Sequence, residues 1–189
     1  MTKSTRKMNR LFKLTFVLRN YPINKALKEY HSIIQTKDID QLNIQQQKAW
    51  NIFEHHLKNN SLYRNYIGEN SYKDWNKIPI LTKTDIQAPL DQRLTRPYTK
   101  KNVFVNNTSG SSGTPFYFAK DKFCQSMAWA NIIYKFGRHG VVFGSSLQAR
   151  FYGMPNKGIK KLKEQLKDSL AHRIRIPVFD LSDEKFEEV

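Results

Sequence analysis

Seven consecutive residues, Thr108-Ser109-Gly110-Ser111-Ser112-Gly113-Thr114, carry five hydroxyls and two glycines. Gly110 and Gly113 are free to take positive φ, so successive backbone N–H groups can point into one concavity. A nest of that kind binds a phosphate chain, and Ser and Thr hydroxyls add donors without adding charge. Pro115 then fixes the exit of the run. The stretch is not a Walker loop, because no lysine follows Gly113. It is not a nucleophile elbow either, since Gly110-Ser111-Ser112-Gly113 lacks the Gly-x-Ser-x-Gly spacing. Flexible linkers also use Ser and Gly. Here the run is short and sits between two aromatic β-type segments, Val103-Phe104-Val105 and Phe116-Tyr117-Phe118.

The elements that must position this loop are legible from periodicity. Residues 22–67 read as helical: Ala26, Leu27, Tyr30, Ile33 and Ile34 recur at helical spacing, and Ile44, Ala49, Trp50, Phe53 and Leu57 do so again. Gln35 to Gln41 reads as the connection between them, and Gly68 and Asn70 end a third short cluster at Leu62–Ile67. Ile78-Pro79-Ile80-Leu81 is an extended run, because the residue before a proline is pushed out of the helical region. Thr82 is placed to cap a short helix from Lys83, with Asp85 in its first turn. Phe123–Phe136 is a helix with Gly137 as its cap, Val141–Phe143 and Leu147–Tyr152 are strands, 157–170 is a basic amphipathic helix, and 173–178 is a strand. Ser182, followed by Asp183 and Glu184, opens a last helix.

Composition bounds the partners. The 189 residues are 39% hydrophobic and 13% aromatic, which is too apolar for disorder. Formal charge is +16, unevenly spread: residues 1–20 hold six cations (Lys3, Arg6, Lys7, Arg10, Lys13, Arg19) and no acid. A basic surface attracts nucleic acid, anionic lipid or the phosphates of a nucleotide. A weak contact of residues 3–20 with an anionic surface, through a basic amphipathic helix, is one consequence; a first helix packed on the domain is the other reading. No run approaches the length of a bilayer span, so no transmembrane segment is expected. Cys124 is the one cysteine, which excludes an internal disulfide and fits a cytoplasmic location, with the thiol itself expected in the core. His55 and His56 are adjacent, and His31, His139 and His172 isolated, so no metal site is expected.

The loop also carries a resemblance. Thr108 to Pro115 resembles the signature phosphate loop of the AMP-forming acyl-activating superfamily, Thr/Ser-Ser-Gly-Thr/Ser-Thr/Ser-Gly-x-Pro. Ile78-Pro79-Ile80-Leu81-Thr82-Lys83-Thr84-Asp85-Ile86 resembles the run that precedes that loop in the phenylacetate–CoA ligase branch. Tyr63-Arg64 fits the same branch, and Arg173–Glu188, with Asp180-Leu181-Ser182, is similar to the capsular-polysaccharide-type relatives. Two departures stand out. Phe116 follows the proline where many members carry Lys or Arg, which leaves Lys120 or Lys122 to supply the charge. Tyr152-Gly153-Met154-Pro155 does not match the adenine-contacting Tyr-Gly-x-Thr-Glu segment, and the ribose-binding Asp, the hinge and the C-terminal domain have no counterpart.

The resemblance implies an α/β fold: a helical N-terminal region over 1–74, then over 75–189 the first part of the mixed-sheet, nucleotide-binding large domain, cut short. It implies a ligase that joins a small carboxylic acid to ATP, with Mg²⁺, and passes the acyl group from acyl-AMP to a thiol, usually CoA. Thr108, Ser109, Ser111, Ser112 and Thr114 would act as hydroxyl or backbone donors to the phosphates, with Gly110 and Gly113 making room; the catalytic residues are unassigned. A chain of this extent is expected to be inactive by itself. The rival reading is a basic nucleic-acid-binding module, with Tyr117, Phe136 and Tyr152 as stacking surfaces. No helix-turn-helix, ribonucleoprotein or zinc signature supports it, so no specific nucleic acid is expected. A third reading is an inactive fragment.

Overall fold

In the computed structural model the structure describes residues 8–68, 72–108, 113–152 and 159–177. They form a mixed α/β protein with seven α-helices and two small two-stranded sheets. The chain divides into two compact units, residues 1–27 with 126–189, and residues 28–125.

The first unit is built on aromatic packing. Asn9 starts helix α1 (Arg10–Leu18) by accepting the Leu11 N–H on its side chain, which satisfies one of the orphan amides of the first turn. Phe12 and Phe16 fall one turn apart and are both buried, joining Ile23, Ile133, Phe143 and Ala171 in one cluster. Trp129, from helix α6 (Lys122–Gly137), sets its ring edge-on to Phe12, Phe16 and Phe143 at 5.8, 5.5 and 6.1 Å between centroids. That is the arrangement ring quadrupoles favour. Strands β3 (Gln148–Tyr152) and β4 (Arg173–Pro177) pair in parallel, Gln148 opposite Arg173 through Tyr152 opposite Pro177. Parallel partners need a crossover, and helix α7 (Ile159–Leu170) supplies it. Asp168 of α7 is buried and accepts hydrogen bonds from Arg173 and from Arg175, whose guanidinium also reaches Glu164 at 2.8 Å.

The second unit has a helical layer and a hairpin. Helix α3 (Asp38–Asn59) carries Asp38 and Asp40 in its first turn, where the helix dipole favours acids. Asn60 ends α3 and caps α4 (Ser61–Ile67), taking the Tyr63 N–H on its side-chain oxygen. Its amide nitrogen donates to the Arg93 carbonyl and to the Thr95 hydroxyl, so one buried side chain ties the helix pair to the segment after helix α5 (Leu90–Arg93). Phe53 meets Trp50, Tyr63, Tyr72 and Trp75 ring to ring. Strands β1 (Phe104–Asn107) and β2 (Tyr117–Lys120) pair antiparallel, with Phe104 opposite Lys120 and Asn107 opposite Tyr117.

Several expectations need correction. Residues 83–86 make a turn, not a helix: the Ile86 and Gln87 amides reach their acceptors only at 3.4 Å, and Pro89 follows too soon to let a nucleus grow. The link between α2 (Ile23–Gln35) and α3 is two residues, Thr36 and Lys37, because Asp38 and Asp40 start a helix instead of interrupting one. Val141–Phe143 is no strand; Phe143 makes a single parallel bridge to Met8. Cys124 is exposed. The helix expected from residue 183 lies outside the described residues. No helix among the described residues is long and apolar enough to cross a membrane.

Candidate functional site

The Ser/Gly run is the connection of the β1–β2 hairpin. Of its residues, Thr108, Gly113 and Thr114 are described, and Ser109, Gly110, Ser111 and Ser112 lie outside the described residues. The two ends are fixed to each other. The Thr108 N–H donates to the Phe116 carbonyl at 3.0 Å, and the Phe116 N–H donates to the Thr108 hydroxyl oxygen at 3.1 Å. The ladder therefore runs one pair beyond the strands proper and brings the two ends of the Ser/Gly run together. Gly113 sits at φ +93°, with open space where a side chain would be. This is the backbone state that a glycine adopts without strain, and the one an amide nest requires.

Two cations from upstream segments stand at the loop's exit. Lys83 Nζ donates to the Thr114 carbonyl oxygen at 2.7 Å. Arg93 donates to the Tyr117 carbonyl at 2.7 Å and to the Ala88 carbonyl at 2.7 Å, with its guanidinium carbon 4.6 Å from the centre of the Phe116 ring. A guanidinium over a ring face is held by the ring's quadrupole where a bare point charge would wander. Of the two lysines that could supply the charge after Phe116, Lys120 lies at the far end of β2, opposite Phe104 and over the Phe118 ring, and Lys122 opens helix α6. In the sequence Lys83 belongs to the 78–86 run without a role of its own, and Arg93 carries no signal.

Lys83 is held by the turn around it. The Asp85 carboxylate accepts both the N–H and the hydroxyl of Thr82, at 2.7 and 2.6 Å. Those bonds, the hydroxyl first, hold the Asp85 pKa below the ordinary carboxylate range. Asp85 is thus occupied in shaping the turn, which leaves the lysine one residue after Thr82 to reach the loop.

A cleft of about 680 Å³ lies in the same unit, with His56, Arg93, Thr95, Tyr98, Phe116 and Asp121 among its walls. Two pairs of its polar groups are hydrogen-bonded. His56 Nδ1 lies 2.5 Å from the Thr95 hydroxyl, and Tyr98 donates to Asp121 at 3.1 Å. Burial, then the neighbouring His55, push the His56 pKa down, so that imidazole is favoured in its neutral form. In the other unit Phe12, Phe16, Leu18, Arg19, Tyr21 and Trp129 are among the walls of a cavity of about 390 Å³, so Leu18 and Arg19 at the end of α1 border it while Leu11 and Leu14 do not. Among the described residues no group of His, Cys, Asp or Glu is placed to hold a metal ion. Of the stacking surfaces, Tyr117 and Phe136 are exposed, and the side chain of Tyr152 lies outside what is described.

No family model, curated protein or solved structure matches this chain.

Proposed function

We propose that the β1–β2 loop is the polyphosphate-binding element of an ATP-dependent, AMP-forming ligase that activates a small carboxylic acid. The observation that carries this reading is the Thr108–Phe116 pairing across the ends of the run, with Gly113 in the left-handed region and Lys83 and Arg93 hydrogen-bonded to the Thr114 and Tyr117 carbonyls. Donors without acceptors in excess suit a polyanion, and pre-ordered donors stabilise charge as pyrophosphate departs. Thr108, Ser109, Ser111, Ser112 and Thr114 would donate to the β- and γ-phosphates, with Gly110 and Gly113 allowing close approach. Lys83 and Arg93 would neutralise the same phosphates from the strand side. Mg²⁺ would be carried on phosphate oxygens, as it commonly is where a nucleotide supplies the ligands.

On this reading the residues over 75–189 belong to the mixed-sheet domain of the acyl-activating enzymes, of the phenylacetate–CoA ligase type, and CoA is the acyl acceptor. The cleft beside the hairpin falls within the usual size of ligand pockets and offers aromatic walls with a few ordered polar groups. Equilibrium dialysis of the chain against radiolabelled ATP with Mg²⁺ tests the reading. Saturable binding that pyrophosphate displaces is expected. Binding to duplex DNA that is steeply salt-dependent, with no retention of ATP, would replace it by the nucleic-acid reading.

A further inference from the structure

Helix α1 has two apolar faces, and the fold buries only one. Phe12 and Phe16 are in the core, whereas Leu11 is 59% exposed, Leu14 47%, Val17 55% and Leu18 76%. On a helical projection Leu14, Leu18 and Leu11 fall within about 60° of arc, with Arg10 and Val17 next to them and Lys13 beyond. Arg19 follows directly at the helix end. Among the described residues the side chains of Arg10, Lys13 and Arg19 have no hydrogen-bonding or ion-pair partner. A surface helix normally turns polar residues outward, so an exposed leucine stripe on a helix already anchored through its other side needs an occupant.

The helix is also seated firmly. The Asn9 N–H donates to the Phe143 carbonyl at 2.9 Å, and its side-chain amide donates to the Gly144 carbonyl at 3.1 Å. The stripe is therefore presented on a fixed support.

We infer that the outer face of α1 docks on the surface of an anionic lipid bilayer. Charge decides among occupants. Residues 1–20 carry six cations and no acid, so a second copy of the same face would be repelled. A nucleic acid would engage the cations but leave three leucines in water. An anionic bilayer matches both parts: the leucines enter the boundary between headgroups and acyl chains, and the long basic side chains extend to the phosphates. The inference is independent of the loop reading, because no loop residue takes part.

Flotation of the full chain with vesicles tests it, using phosphatidylcholine containing phosphatidylglycerol against phosphatidylcholine alone. Binding to the mixed vesicles only is expected. Leu11→Ser with Leu14→Ser should weaken it about ten-fold or more without lowering the melting temperature, since both side chains are exposed and neither lines the cavity beside Phe12 and Phe16. Arg10→Gln with Lys13→Gln provides a second arm that leaves the apolar stripe intact, and should weaken binding about five-fold per cation. Heparin, a polyanion without an apolar layer, should be held equally well by the leucine variant. Absence of vesicle binding, equal binding to neutral vesicles, or unchanged binding by the leucine variant would overturn the inference. So would a dimer in sedimentation equilibrium that the leucine substitutions dissociate.

Discussion

Lys83 and Thr114 lie 31 residues apart in sequence and are joined by a 2.7 Å hydrogen bond from the ammonium of one to the main-chain carbonyl of the other. That bond fastens the Thr82–Asp85 turn to the exit of the Ser/Gly loop and leaves a positive charge beside it. If the loop holds a polyphosphate, the same ammonium is within reach of it.

Lys83→Met should therefore weaken pyrophosphate binding about ten-fold, or about 1.4 kcal/mol, the size expected for one charge-assisted contact. Stability should fall by less than about 1 kcal/mol, because the bond it removes is exposed. Calorimetric titration and a melting curve on the same sample separate the two effects. Unchanged affinity would remove Lys83 from the site.

Two glycines at positive φ should respond differently to the same substitution. A Cβ on Gly144 would lie 2.7 Å from the Phe12 Cβ and 2.9 Å from the Asn9 Cβ, both at the seat of α1. Gly144→Ala should cost about 3 kcal/mol in denaturant unfolding, from overpacking added to backbone strain. Gly113 has nothing within 4 Å, so Gly113→Ala should cost only the strain, about 1 kcal/mol. Equal losses at the two positions would show that contact with α1 is not what distinguishes them.

Asp168 is the anionic centre of the α7–β4 contact, facing Arg173 and Arg175 together. Removing it leaves two poorly hydrated cations side by side, so Asp168→Ala should destabilise by about 3 kcal/mol. Glu164→Gln, which loses one bond from Arg175 and one from the exposed Lys167, should cost below about 1 kcal/mol. Urea midpoints of the two variants check the ranking.

The pH dependence of stability follows from His56. Its folded-state pKa lies below the ordinary value of 6.5, because burial disfavours the charged ring. The unfolded chain then binds the proton more readily, so the stability present above pH 6.5 is lost as pH falls below it. Melting temperature measured down through that window should decline, and His56→Gln should flatten the decline. Glu164 adds an acid-side loss of its own, its pKa being held below 4.5 by Lys167 and Arg175, which is a separate and lower range.

Much of the second unit was readable because its helices have clean apolar spacing and its strands are aromatic. Phe53 and Trp50 marked the buried face of α3, and Val103–Val105 and Phe116–Phe118 marked the hairpin to within two residues. Local signals failed where long-range contact decides. Val141–Phe143 has strand composition, yet Phe143 is drawn into a ring cluster with Phe12 and Trp129 and makes one bridge only. Thr82 and Asp85 have capping chemistry, but their mutual bonds close a turn that propagates no further. Arg93 could not be found in advance, because its place over Phe116 depends on β1 and β2 pairing first. For residues 3–20 the sequence leaves a surface helix and a packed first helix both open, since periodicity cannot say which of the two apolar faces of α1 is buried.

Polyphosphate binding by the β1–β2 loop can be read residue by residue in a titration of the isotope-labelled chain with pyrophosphate, followed through its backbone amides by NMR. Saturable shifts concentrated at Thr108–Thr114, together with the Lys83 side chain, are expected, with small changes elsewhere. Amides of the loop that stay in place while shifts spread evenly over the basic residues would contradict binding by the loop.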